Sequence, residues 1–194
     1  MDVSLGFKDT ERVQVATLFW NAFSGKLGPL LGPDDTALAF IAPALDPAFA
    51  LAARDTDDTL LGIAGFHTPD GQLMGGSFAD LRASYGLLSS LWRAPLLALL
   101  ERDMTAGVLL MDGIFVAPEA RGRGVGTALL NAIKDTARDQ SCRAMQLDVI
   151  NTNPRARALY ERQGFVAATT TDLGPLRHIF GFSASTTMVC DLTS

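Results

Sequence analysis

Apolar residues along this chain switch repeatedly between a spacing of about two, as in strands, and one of about 3.6, as in helices. Met145, Leu147 and Val149 alternate with Gln146 and Asp148, which predicts a strand with one buried face. Residues 125–140 carry the clearest helical stripe: Val125, Leu129, Ala132, Ile133, Thr136 and Ala137. Near the start, residues 3–7 read as a short strand. Asp9 can then cap a helix that runs to about Phe23, with Val13, Ala16, Trp20 and Phe23 inward. Strand patterns follow at 49–54 and 59–66, joined by a turn at 55–58, and Pro69-Asp70-Gly71 marks another turn. Residues 107–116 form a strongly apolar strand that Pro118 ends. Asn153 with Pro154 opens a second helix and Gly164 closes it, and residues 165–171 and 187–192 finish as strands.

Two stretches are less regular. Residues 25–47 are rich in Gly, Pro and Asp, with a short helix expected after Pro33, and residues 78–100 read as a helix broken near 93–95. Strands and helices interleave throughout, so the expected class is α/β with a mixed sheet, and 194 residues fit one domain spanning 1–194. The most lipid-like run, 87–100, contains Arg93 and Pro95 and is shorter than the roughly 20 apolar residues of a membrane span. It holds ten Leu, Trp or Ala residues, enough to make a homodimer interface as well as core. Met1-Asp2-Val3-Ser4 has no secretory character, so a cytoplasmic protein with reduced Cys142 and Cys190 is expected. Neither cysteine has the spacing of a metal site, and no metal is expected.

A net charge of −5 argues against nucleic acid as a partner. The charge is unevenly spread. Residues 121–162 hold eight basic and four acidic residues, a local +4, while eight basic and seventeen acidic residues elsewhere leave −9. A basic zone in an acidic chain suits a small polyanion such as a nucleotide cofactor, and a solvated helix face explains it as well.

Within that window, Arg121-Gly122-Arg123-Gly124-Val125-Gly126 lies between a buried strand and a helix. Glycines let the backbone turn sharply, and the free amides of the following helix favour a phosphate. The loop lacks the Lys and Ser/Thr of a P-loop and misses the dinucleotide spacing, so alone it reads equally as a structural turn. About thirty residues on comes Asn153-Pro154-Arg155-Ala156-Arg157-Ala158-Leu159-Tyr160, leading into Gly164-Phe165.

Together the two segments resemble the GNAT N-acetyltransferase superfamily. Its cofactor motif R/Q-x-x-G-x-G/A matches Arg121, Gly124 and Gly126. Its second signature, N-x-x-A-x-x-L-Y-x-x-x-G-F, matches Asn153, Ala156, Leu159, Tyr160, Gly164 and Phe165. The resemblance covers about residues 107–168; the first hundred residues carry no decisive motif. It implies a twisted, mostly antiparallel sheet with splayed central parallel strands and helices on both faces.

It further implies an enzyme that moves the acetyl group of acetyl-CoA to a primary amine by direct attack. The acceptor would be a small molecule or a peptide. Main-chain groups of Ile114, Phe115 and Val116 would hold the pantetheine, and a backbone N–H there could stabilise the oxyanion. Amides from Arg121, Gly122, Arg123, Gly124, Val125, Gly126 and Thr127 would hold the pyrophosphate, with Asn153 and Ala156 alongside. Tyr160 would protonate the departing thiolate, as a phenol that stays protonated at neutral pH can; a core aromatic is the plainer reading. Asn153 can equally be a simple N-cap.

The general base has no fixed place in the family. Asp112 is the candidate: a carboxylate inside an apolar strand, two residues before Ile114 and so expected on its face, where a structural hydrogen bond is the other explanation. His67, at a strand end, and His178, in a loop with Phe180 and Phe182, are lesser contenders. A non-catalytic acyl-CoA-binding module and a protein N-terminal acetyltransferase remain the alternatives.

Overall fold

The chain alternates short strands with amphipathic helices, and in the computed structural model, which describes residues 1–99 and 104–193, these close into one mixed sheet clothed on two faces. The strands are β1 (Asp2–Leu5), β2 (Ala50–Arg54), β3 (Leu60–Thr68), β4 (Gly71–Gln72), β5 (Val108–Val116), β6 (Ala144–Ile150), β7 (Val166–Asp172) and β8 (Ala184–Asp191). Their order is β1-β2-β3-β5-β6-β8-β7, with β4 paired to β3. Every pairing is antiparallel except β5 with β6. The helices are α1 (Arg12–Leu31), α2 (Asp34–Ala44), α3 (Phe78–Tyr85), α4 (Leu87–Ala98), α5 (Val125–Asp139), α6 (Pro154–Arg162) and α7 (Arg177–Phe180).

Side-chain alternation assigns the two faces. Phe115 of β5 packs its ring against Phe19 and Phe23 of α1, at 5.4 and 5.5 Å. One pair further on, a Cβ at Gly62, opposite Val116, would lie 3.3 Å from Val125 of α5. So α1 covers one face and α5 the other. On α5 the buried residues are Val125, Leu129, Leu130, Ile133 and Ala137; Ala132 and Thr136 are only half-buried. The stripe is centred a little further round the helix than the sequence pattern places it.

The N-terminal third departs most from the sequence pattern. The first strand stops at Leu5, because Gly6 turns the chain at φ +82°. Asp9 does not cap α1: the Lys8 backbone N–H donates to Glu11, 2.7 Å, and Asp9 instead accepts from Arg12. Val13 is 71% exposed, so it lies off the inward face that Ala16 and Trp20 do occupy.

The helix does not end at Phe23 but runs through Pro29 to Leu31, anchored by fully buried Leu30 and Leu31. A proline removes one main-chain bond; burial of two leucines outweighs that loss, as tertiary packing does for most helices. The Trp20 indole N–H then donates to Asp34, 3.0 Å, tying α2 to α1.

The region 78–100 is broken at Gly86, not near Pro95, which sits inside α4. Gly86 has φ +75° and serves as the end of α3 and the start of α4, a conformation that a side chain would oppose. Arg93 faces inward, donating to the Leu30 carbonyl at 2.6 Å and lying 4.6 Å from the Tyr85 ring centre. The opposite face of α4 stays bare: Leu87, Leu88, Leu91 and Trp92 are exposed. Residue 100 of the predicted helix lies outside the described residues. Among the described residues no helix is long and apolar enough to cross a membrane.

The assignment of inward and outward positions is testable. Ile133→Ala, at a site with no exposure, should lower unfolding free energy by about 2–5 kcal/mol in urea titration. Val13→Ala should change it by less than about 0.5 kcal/mol, although both residues belong to predicted inward stripes.

Candidate active site

β5 and β6 pair at Val108–Ala144, Leu109–Met145 and Leu110–Gln146, and no further pair follows although both strands continue. The cause is local to β5. Gly113 pairs with Gly65 and Met111 with Phe66, so Asp112 is an inserted residue, a bulge. A bulge bends its strand and sharpens its twist, which turns the outer half of β5 away from β6. The expected splay beside Ile114, Phe115 and Val116 is therefore present.

The same bulge removes the simple two-residue parity between Asp112 and Ile114, so their expected common face does not follow from spacing. Asp112 is half-buried, with its Oδ2 withdrawn from solvent.

The glycine loop lies where β5 hands over to α5. Gly122 and Gly124 have φ +77° and +83°, and a Cβ at either would meet nothing within 4 Å. Their geometry thus answers to backbone conformation and leaves open space above the loop. Gly124 is the N-cap of α5, and the first main-chain bond into the helix runs from Ala128 to Gly124, 3.0 Å. The amides of Val125, Gly126 and Thr127 precede that bond and point out of the helix end, a seat suited to an anion. Gly126 has a separate reason: a Cβ there would stand 3.2 Å from Leu159, so its absence lets α6 approach α5.

The basic zone read from composition is thinner in space. Arg123 is ion-paired with Asp55 at 2.6 Å, Arg138 with Asp135 at 2.8 Å and Arg157 with Glu161 at 2.9 Å. Asp55 is held below the usual carboxylate range by the Thr56 backbone N–H and by Arg123. Arg121 is exposed beside the loop, its Nε 3.4 Å from the Val116 carbonyl. What the loop presents to solvent is therefore main-chain amides and Arg121 more than the summed charge of the window.

α6 starts at the open end of β6. Asn153 caps it, its Oδ1 accepting from Ala156 at 3.2 Å, so the N-cap role is real. Tyr160, on the last turn, is 7% exposed and its ring centre lies 6.0 Å from that of Phe165. Burial pushes its phenol up to about 12, so it is protonated at any physiological pH.

Strand register identifies a pair that sequence reading missed. Met111 faces the same side as Phe66 and Gly62, the α5 side; Leu109 shares it and pairs with Met145. Buried Met145, Leu147 and Val149 thus face α5, which leaves half-buried Gln146, Asp148 and Ile150 on the α1 face. There Asp148 accepts a hydrogen bond from the Thr187 hydroxyl of β8 at 2.7 Å. The alternation around Asp148 was visible in the sequence; its neighbours across the sheet were not.

His67 stands at the end of β3, one residue before its last, half-buried and paired with Leu110. His178 is exposed on α7, while Phe180 and Phe182 are buried, and Lys26 sits 6.0 Å from the Phe182 ring. That aromatic pair is packed core, not an open pocket. Two surface hollows, one lined by Asp35, Phe40 and Asp80 and one by Arg12, Asp46 and Gln72, lie on the α2 side and include neither the glycine loop nor Tyr160.

Comparison with known proteins agrees with this arrangement. An N-acetyltransferase structure from Staphylococcus aureus Mu50 superposes with a TM-score of 0.67 at 14% identity, covering 97% of this chain and all of that one. A GCN5-related N-acetyltransferase from Kribbella flavida gives 0.60 at 20% identity, covering 98% and 96%. In sequence, the thialysine N-epsilon-acetyltransferase of Bos taurus is 34% identical over 56 residues, 29% of this chain and 33% of that protein. The mycothiol acetyltransferase of Beutenbergia cavernae is 39% identical over 79 residues, 41% of this chain and 24% of that protein. The matched stretches thus span only a quarter to a third of those two relatives' own length. The model of the acetyltransferase (GNAT) family, in contrast, matches residues 13–165. With that span matched and the split sheet in place, the chain belongs to the GNAT acetyltransferase family.

Proposed function

We propose that this chain transfers the acetyl group of acetyl-CoA to a primary amine by direct attack. The observation that carries the reading is the parting of β5 and β6 after Leu110–Gln146, next to the glycine-started end of α5. Main-chain groups of Ile114, Phe115 and Val116 line the gap as a ready strand edge for the pantetheine amides. The open amides from Arg121 to Thr127 fit a pyrophosphate in charge and in space, since no side chain fills the volume over Gly122 and Gly124. Asn153 and Ala156 border the same opening. An amine acceptor is consistent with the thialysine enzyme among the sequence relatives.

The proton balance assigns roles to two side chains. The amine nitrogen forms its bond to the thioester carbon, the carbon–sulfur bond breaks, and one proton must leave nitrogen while another reaches sulfur. Asp112, half-buried in the bulge, takes the first, and Tyr160 supplies the second. A phenol near 12 is a weaker acid than a thiol near 8.5, so Tyr160 gives up its proton only as charge builds on sulfur. It acts by hydrogen-bonding the emerging thiolate and is refilled from solvent or the departing ammonium proton.

Exposed Leu87, Leu88, Leu91, Trp92 and Leu99, with Phe78 of α3, leave an uncharged apolar face on α4. We propose that a second copy of the chain covers it, since large apolar side chains gathered on one helix face, unlike apolar residues exposed singly, mark an interaction surface. Sedimentation at high concentration should show a dimer that Leu88→Glu with Leu91→Glu converts to monomer; wild type staying monomeric removes the idea.

Arg121→Glu with Gly124→Asp should abolish acetyl-CoA binding by calorimetry, because charge and bulk enter the anion seat. Binding as tight as wild type would mean that the cofactor lies elsewhere. Tyr160→Phe keeps ring and helix while deleting one proton donor. General acid catalysis contributes about 10²–10⁴-fold, so kcat should fall at least roughly tenfold with acetyl-CoA affinity nearly unchanged. Water standing in for the phenol sets the lower limit. In an assay limited by chemistry, free CoA release at the wild-type rate would return Tyr160 to a packing role.

A further inference from the structure

The glycine loop and the β2–β3 turn meet at one end of the sheet. β5 ends at Val116, opposite Gly62 near the start of β3, and the Ala117 N–H donates to the Leu61 carbonyl at 2.9 Å. The turn at 55–58 therefore stands beside the chain that leads into α5.

Within itself the loop is loosely tied. The Arg121 and Arg123 amides reach the carbonyls of Pro118 and Ala120 only at 3.4 Å, beyond the usual range of such a bond. Arg123 stands between Gly122 and Gly124, both left-handed, and glycine on either side widens the choice of backbone conformations there. Such a loop gains a single shape from a hold outside itself.

Arg123 makes that hold. Its guanidinium donates to Asp55 Oδ2 at 2.6 Å, a short charge-assisted bond. The receiving carboxylate is itself fixed. Its Oδ1 accepts from the Thr56 N–H at 2.9 Å, and the Asp55 main chain bonds Thr59 and Asp58 across the turn at 3.0 and 3.1 Å. Asp58 is ion-paired with Lys8 and with Arg54. Arg54 in turn meets Glu11 at 2.6 Å, where the two side chains are only 11% and 13% exposed. The turn is thus anchored to β2 and to residues 8–11, and through Arg123 that anchorage reaches the tip of the loop.

Resting on the acetyl-transfer reading above, we propose that Asp55 is a positioning residue for the cofactor. By gripping Arg123 it holds the glycine loop with its amides arranged for the pyrophosphate. The two side chains are 52% and 30% exposed, and an ion pair so placed changes an equilibrium by up to roughly fivefold. Its effect is therefore modest, and it falls on cofactor affinity.

The pair is neutral as a whole, which permits a charge-balanced test on the full chain. Asp55→Asn with Arg123→Gln breaks the bond and leaves the summed charge beside the loop unchanged. Its Kd for acetyl-CoA, by calorimetry, should rise roughly two- to fivefold. Without cofactor, hydrogen exchange should quicken at the Arg123 and Ala128 amides, which bond within the loop and at the start of α5, and stay as in wild type across β6. The reversed pair, Asp55→Arg with Arg123→Asp, should return affinity and exchange to within about twofold of wild type. An arginine that gripped phosphate directly could not be replaced by aspartate, so this rescue separates positioning from contact.

Unchanged affinity in the neutral double variant overturns the proposal, and so does a reversed pair that binds more weakly than the neutral one. Should wild type bind no acetyl-CoA, the reading beneath fails separately and exchange decides for Asp55. Exchange quickened in the neutral variant and restored in the reversed one supports its hold on the loop; unchanged exchange removes it.

Discussion

Backbone N–H and C=O groups inside a protein require partners, and two adjacent strands that stop pairing leave a row of them facing a gap. β5 and β6 do so after only three pairs. The inserted Asp112 bends β5 while its other edge remains paired to β3, so the sheet stays continuous on one side and opens on the other. The remaining features of the site follow from that wedge. A strand-like ligand amide can satisfy the exposed edges, and the helices that begin at the outer ends of the two strands frame its two sides.

Those helices begin differently. α5 starts on Gly124 in a left-handed conformation, with its first amides unblocked by any side chain above them. α6 starts on Asn153, whose side chain satisfies the Ala156 amide. One end has no side-chain cap and the other is sealed by its own. The missing side chain of Gly126 then lets Leu159 close against α5, which seats Tyr160 one residue further on in the buried layer that raises its pKa.

Charge illustrates how far a linear count can mislead. Residues 121–162 are basic as a string, but Arg123, Arg138 and Arg157 are each engaged with an acid, one of them from the distant β2–β3 turn. Exposed pairs of this kind add little stability. Their effect here is to neutralise local positive charge, which leaves main-chain amides and exposed Arg121 as the unpaired electropositive groups at the start of α5 among those described.

The sequence by itself determined the elements whose signals are local. α5 and β6 are written in apolar spacing, α6 in an N-cap, a proline and a closing glycine, and the family in two motifs at fixed separation. Each depends on residues a few positions apart. Tertiary structure decided what depends on partners far along the chain. α1 outruns its glycines and Pro29 because Leu30 and Leu31 find a core, and α3 and α4 meet at Gly86 because the chain must turn there to put Arg93 over Tyr85. The bulge at Asp112 exists only relative to β3, and Asp148 meets Thr187 only through a strand thirty-nine residues later. Periodicity encodes which side of a strand a residue faces; it carries no record of which strand lies alongside, and the opening between β5 and β6 is built from that second kind of information.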